Sequence, residues 1–242
     1  MDTNVQNIEI HLANLGRLAA RLEATLADAP ADRRPYVEAA LAEVADLRAD
    51  REKALARAGT AVDERDNAEE QRRAVITEKL ALESQLAAEL DAGATDAKKL
   101  LKLRDGLYVC GCQIEALDRQ AKRGSNAAVG ASASSALRRF MDRVSGAQHG
   151  AKALHDTLRA HGWNDARKAA EKSAVGMTAA DVGLALMHEP AELERCAAED
   201  KAATSDRSRI SRTVVGVDKL RELYDYRFRA ASKLSKAAPK AA

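Results

Sequence analysis

The thiols of Cys110-Gly-Cys112 are the closest-set reactive pair in the chain. A metal site prefers two or more residues between paired cysteines, so that both sulfurs reach one ion. On a helix, residues two apart point about 200° away from each other. In a helical setting Cys110 and Cys112 therefore cannot chelate together. Cys110 falls on an apolar stripe and Cys112 faces elsewhere. Cys196 stands alone, and so sparse a set suggests a reducing compartment with no disulfide framework. The histidines (His11, His149, His155, His161, His188) include no i, i+4 pair and no His-Glu-x-x-His run. Gly124 and Gly130 lack the Lys-Ser/Thr of a phosphate loop, and no Gly-x-Ser-x-Gly elbow occurs. The acidic residues lie among Arg and Lys at helical spacing, as solvated pairs worth about 0.2–0.5 kcal/mol each. These patterns predict a protein that is not an enzyme and has no metal or cofactor.

The C-terminal region is richer. Arg207, Arg209 and Arg212 precede Arg221, Arg227, Arg229, Lys233 and Lys236, with Tyr224, Tyr226 and Phe228 among them. Cations interleaved with aromatics can hold a nucleic-acid backbone and stack on bases. Tyr224 and Phe228 fit the apolar stripe of a helix. That leaves Arg221, Arg227, Arg229, Lys233, Lys236 and Tyr226 as possible nucleic-acid contacts.

These residues are set on helices. Of 242 residues, 46% are hydrophobic but only 3% aromatic, with 31% charged and four prolines. Such a chain has the profile of long helices and coiled coils, not of an aromatic-filled core. No run approaches the ~20 apolar residues of a membrane span, and no secretory leader opens the sequence. A cytoplasmic protein, or one assembled into a virion, is expected. The net charge of +2 selects neither nucleic acid nor membrane. It is unevenly spread: Lys+Arg 12 against Asp+Glu 19 over 1–94, 16 against 14 over 95–200, and 11 against 4 over 201–242.

The organising stretch is Tyr36 to Leu90, which has no proline and one glycine, Gly59. Before it, Val5, Ile8, Leu12, Leu15, Ala19, Leu22 and Leu26 predict a first helix over 4–29. Within it, Val37, Leu41 and Val44 give way to Arg48, Arg51 and Arg65 at heptad positions, then to Ile76, Leu80, Leu86 and Leu90. The stretch is either one rod or a hairpin broken near Gly59, with Thr60 and Asp63 capping a second arm. Gly93 and Thr95 mark a stop and restart. Leu100, Leu103, Leu107, Cys110, Ile114 and Leu117 then form the cleanest apolar stripe, a seam for packing or oligomerisation.

Residues 124–135 are small and read as a flexible linker. Beyond it Leu137, Phe140, Val144, Ala147, Ala151, Leu154 and Leu158 repeat the heptad. Trp163 plugs the helix end after Gly162, Thr178 with Asp181 caps a short segment, and Pro190 opens another. The expected fold is all-α, a long coiled coil or antiparallel helical hairpin followed by a smaller helical bundle. Its regions are an acidic long-helix part (1–94), a joining helix (95–123), the linker (124–135) and a smaller helical part with a basic last helix (136–242).

The first helix is too short to cover the long one, so other copies of the chain or a protein partner should cover the remainder. The expected role is a structural subunit of a larger oligomer, such as a bacteriophage virion or tail component. A nucleic-acid-binding accessory protein using the basic C-terminal helix is the alternative.

Overall fold

The computed structural model describes residues 2–93, 96–202 and 207–237. The protein is all-α: α1 (Thr3–Asp28), α2 (Arg34–Asp91), α3 (Ala97–Ser132), α4 (Ser135–His161), α5 (Trp163–Ala174), α6 (Ala179–Ala202) and α7 (Arg207–Ala237), with no strand among the described residues. It divides into two compact units that do not follow chain order. One comprises residues 1–12 and 50–134, the other 13–49 and 135–242. Both α1 and α2 therefore contribute to each: one division falls at 134/135, between α3 and α4, and the others lie inside α1 and α2, after residues 12 and 49.

α2 is one helix of 58 residues, so there is no break at Gly59. Nothing within 4 Å would meet a Cβ at Gly59, so that glycine answers no packing demand. The Thr60 hydroxyl donates to the Ala56 carbonyl within the helix and caps no second arm. Ala, Glu, Leu and Arg propagate the helix through this position against one glycine costing about 1 kcal/mol.

In the first unit the turn of the hairpin lies between α2 and α3. Gly93 takes a positive φ of 68°, and Asp96 accepts amide bonds from Lys98 and Lys99. Thr95, the expected cap, lies outside the described residues. The two helices run antiparallel, with Lys99 paired to Glu89 and Arg72 Nε 2.5 Å from Asp118. At the far end the N-terminal part of α1 joins them: Ile8, Ala54 and Ala58 are buried together, with Val5, Leu12 and Ala131 packed on them. Asp2 accepts from Arg65 at 2.6 Å, and the Asn4 amide, with Arg65 second, holds its carboxyl below the usual range.

The supposed linker is the last turns of α3, with only Ala133 and Ser134 outside helix before α4. The small residues on its inward side serve close approach, not flexibility. A Cβ at Gly124 would stand 2.7 Å from the Ala61 carbonyl oxygen, and Ala128 is buried. Arg51 sits at an inward position for an equally local reason. It is buried, and it donates to the carbonyls of Ala131 and Ser132 at the C-terminus of α3. A cation there satisfies carbonyls that lack helical donors.

The second unit packs parts of α1 and α2 with α4 to α7. Its centre is the start of α6, where Val182, Gly183, Leu184, Ala185, Leu186, Met187 and His188 are all buried. A helix apolar all round has no solvent face and must be enclosed. Leu15, Leu22, Val37, Val44 and Phe140 close over it. A second cluster joins Leu154, Ala166, Ala170, Leu220 and Leu223, with Trp163 half-buried against it and Lys219 over its ring at 4.9 Å. Thr178 and Asp181 exchange the bonds of a capping box at the head of α6. Pro190 lies inside α6 and starts no new segment. It removes one helical donor, and the helix continues on both sides of it. The side chain of Cys196 lies outside the described ones.

Candidate functional site

The seam residues Leu100, Leu103, Leu107, Ile114 and Leu117 are half-buried, and Cys110 is fully buried. They lie along the α3 stripe that turns toward α2 of the same chain. The α2 positions opposite are Ala54, Ala58, Ala61, Arg65, Ala68, Arg72, Val75, Lys79, Leu82, Leu86 and Glu89, buried or half-buried at alternating steps of four and three. The same spacing runs back through Arg51, Leu47, Val44, Ala40 and Val37, all buried. This corrects the register inferred from Leu41, Arg48, Ile76, Leu80 and Leu90. Alanine occupies many inward positions, so tracking large side chains shifted the stripe by one residue. Leu80 and Leu90 lie outside, about 60% exposed. Cys112 is exposed and does not face Cys110's seam.

The α7 residues part company. Arg221, Arg229, Lys233 and Lys236 are exposed. Arg227 is buried, which removes it from any nucleic-acid surface. Burial pulls its guanidinium below the usual range, and its Nε and one terminal nitrogen have no hydrogen-bond partner. It falls on the inward stripe with Leu220, Leu223, Tyr224 and Ala231, a fact of helical phase that its charge obscured. Tyr226 donates to Glu171 and stacks with Arg167 at 5.2 Å, so it is engaged on α5. The side chains of Arg207, Arg209 and Arg212 lie outside the described ones.

Sequence reasoning missed the strongest electrostatic feature of the second unit. A cleft of about 470 Å³ lies between the end of α1, the turn into α2, and α6 around Pro190. Arg33 reaches across it to Glu189 of α6, at 3.7 Å, and to Asp225 of α7. Burial pushes the Glu189 carboxyl up to about 7; Arg33 opposes the shift and Asp225 adds to it. Its side chain is 12% exposed. The neighbouring His188 is buried, its Nε2 has no partner, and burial with the nearby Arg21 charge pulls it down to about 4. The signal was available in the sequence. A run as apolar as Val182 to Met187 belongs to an enclosed helix, and the polar pair that follows it inherits the burial.

A carboxyl that titrates near neutrality can move a proton. Here it meets a guanidinium and a second carboxylate. The one hydroxyl lining the cleft, Thr25, donates to the Arg21 carbonyl of its own helix. The arrangement works as a clamp joining the α1–α2 turn to α6 and α7. Among the described residues no three His, Cys, Asp or Glu side chains are grouped to hold a metal ion. No described helix is long and apolar enough to cross a membrane. No protein-family model, no curated protein and no solved structure matches the chain.

Proposed function

We propose that the protein is a non-enzymatic helical assembly subunit that joins other copies of itself through the α2–α3 hairpin, used as a coiled coil. The observation that supports this reading is the outer flank of the hairpin. Leu80 is 60% exposed, Leu90 59%, Leu101 58% and Tyr108 75%. Large apolar side chains gathered on one exposed surface mark an interaction site. The half-buried seam supports it too: two helices alone leave an apolar stripe partly wet, whereas more helices enclose it. A particle built from many copies, such as a virion or tail, is the setting in which such a subunit would serve.

Light scattering and sedimentation of the full chain test the reading. The expected mass is a multiple of 26.0 kDa. Leu80→Glu with Tyr108→Glu should return the protein to a single chain with its helix content unchanged. A mass of one chain at every concentration would overturn the proposal.

A further inference from the structure

The outer flank of the hairpin carries charges as well as apolar residues, in an order that a second copy can match. On the other side of the seam, a cavity is lined by Gln71, Ala74, Val75, Gln113, Ala116 and Leu117. Its outer members stand one residue before the seam positions Arg72, Val75, Ile114 and Leu117. Positions one residue after the seam therefore share the opposite flank on both helices. The Arg72–Asp118 bridge reaches onto that flank. On α2 these positions are Arg73, Ile76, Leu80, Glu83, Ala87 and Leu90. On α3 they are Leu101, Arg104, Tyr108, Gly111 and Glu115.

The pairs Lys99 with Glu89 and Arg72 with Asp118, and the approach of Gly106 to Leu82, fix which residues stand level. Arg73 is level with Glu115, Leu80 with Tyr108, Glu83 with Arg104 and Ala87 with Leu101. Rows of charge alternate with apolar rows, and each charged row holds one acid and one base, all exposed.

We infer that two copies of this chain dock flank to flank about a two-fold axis parallel to the hairpin, with α2 of each over α3 of the other. This rests on the assembly reading above and names its partner and surface. A two-fold contact must be self-complementary. Under this axis each residue meets the residue level with it on the facing copy. Arg73 meets Glu115, Glu83 meets Arg104, and Leu80 meets Tyr108, each twice. The other face-to-face two-fold, perpendicular to the hairpin, sets α2 on α2. Centred on the Glu83 row it brings Glu83 to Glu83 and Arg104 to Arg104. It matches charges only when centred midway between Arg73 and Glu83, where Arg73 meets Glu83 and Arg104 meets Glu115. The axis parallel to the hairpin matches every row without needing a particular centre, and it gives a four-helix bundle with antiparallel neighbours. Exchanging charges within α2 separates the two, because it leaves the perpendicular arrangement paired and reverses every pair of the parallel one. The flank from Arg73 to Leu90 is roughly 27 Å long and about 20 Å wide. The pair thus buries on the order of 1,000 Å² in all, at the lower edge of specific interfaces, so micromolar association is expected.

The test uses two full-length variants with unchanged net charge. One carries Arg73→Glu and Glu83→Arg on α2; the other carries Arg104→Glu and Glu115→Arg on α3. Alone, each turns all four ion pairs of the dimer into like-charge contacts, and self-association should weaken at least tenfold. Mixed in equal amounts, they restore every pair, and a dimer should return at wild-type concentration in sedimentation velocity. Circular dichroism confirms that each variant stays helical. Either variant associating alone as tightly as wild type would overturn this docking while leaving the assembly reading in place. A mixture no tighter than its separate components would do the same. A wild-type chain that stays single up to roughly 100 µM, well above the expected affinity, would overturn both.

Discussion

Gly183→Ala is expected to destabilise the protein by about 3 kcal/mol or more, the largest effect of a Gly→Ala change among the described glycines. Gly183 is buried in the first turns of α6, where that helix crosses the beginning of α2. A Cβ built there would stand 2.7 Å from the carbonyl carbon of Tyr36 and closer still to its oxygen, with the Ala40 Cβ at 3.1 Å. The obstacle is backbone. A flexible side chain could swing away, but the Tyr36 carbonyl belongs to a helix whose next residue, Val37, is fully buried. The Tyr36 hydroxyl is also held, donating to Ser232 at 2.9 Å. Relief requires α6 to move off α2, opening the packing of Leu184, Val37 and Val44. Better helix propensity returns only about 1 kcal/mol. Gly59→Ala is the control, since nothing lies within 4 Å of a Cβ there. It should stabilise by up to about 1 kcal/mol. Urea unfolding followed by circular dichroism reads both. Equal midpoints for the two variants would show that the α6–α2 contact yields freely, against this account.

The two glycines also show what the sequence could and could not disclose. The apolar run Val182 to Met187 marks Gly183 as enclosed and the charged neighbours of Gly59 mark it as open, but nothing local says that Gly183 meets backbone. Their difference is made by a helix more than a hundred positions away. The all-α class was legible because Ala, Leu, Glu and Arg dominate and the 3-4 spacing recurs. So were the capping box of Thr178 and Asp181 and the stop at Gly93, which are local signals. Of the two readings of Tyr36 to Leu90, one rod or a hairpin broken near Gly59, the helix takes the first, since one glycine among strong helix formers costs only about 1 kcal/mol. The linker at 124–135 was misread for a tertiary reason. Small residues mean flexibility when solvated and close approach when packed, and only tertiary contact decides which. Gly124 against the Ala61 carbonyl is the second case.

Charge misled in the same way. Arg227 lies on an inward stripe, and a pattern that scores arginine as polar puts it outside; Arg51, set at a heptad position by its spacing, is buried there. Arg51 has acceptors at the end of α3; for Arg227 burial without partners at two nitrogens has no evident compensation. The candidate cleft was hidden for a different reason. Arg33, Glu189 and Asp225 are far apart in sequence and ordinary in type, and what singles the site out is the desolvation of Glu189. The interleaving of the two units was beyond reach as well, because nothing in α1 or α2 marks where each passes from one to the other.

Exchanging either member of the His188–Glu189 pair should expose a pH dependence of stability that the wild-type protein conceals. The Glu189 carboxyl is pushed up from 4.5 to about 7 by burial. Between those values the folded protein holds a proton that the unfolded chain has lost. Its contribution is therefore complete below about 4.5 and is lost as pH rises through about 7. The imidazole of His188 is pulled down from 6.5 to about 4. Between those values the unfolded chain holds a proton that the folded protein rejects. Its contribution is complete above about 6.5 and is lost as pH falls through about 4. Each shift corresponds to about 3 kcal/mol at its limit. From about pH 4.5 to 6.5 the two slopes oppose each other, since folding then takes up one proton at Glu189 and releases one at His188. Glu189→Gln removes the first slope. That variant should be more stable than wild type at pH 8 and lose stability steadily toward pH 5, where the buried histidine must charge on unfolding. His188→Met removes the second slope and should gain stability from pH 6.5 down to 5. Arg33 stays paired with Asp225 in both variants, so the clamp keeps one of its two anchors in Glu189→Gln and both in His188→Met. Denaturant midpoints at pH 5, 6.5 and 8 measure the slopes. If both variants parallel the wild type across this window, neither group is desolvated as described, and the cleft around Arg33 is open to water.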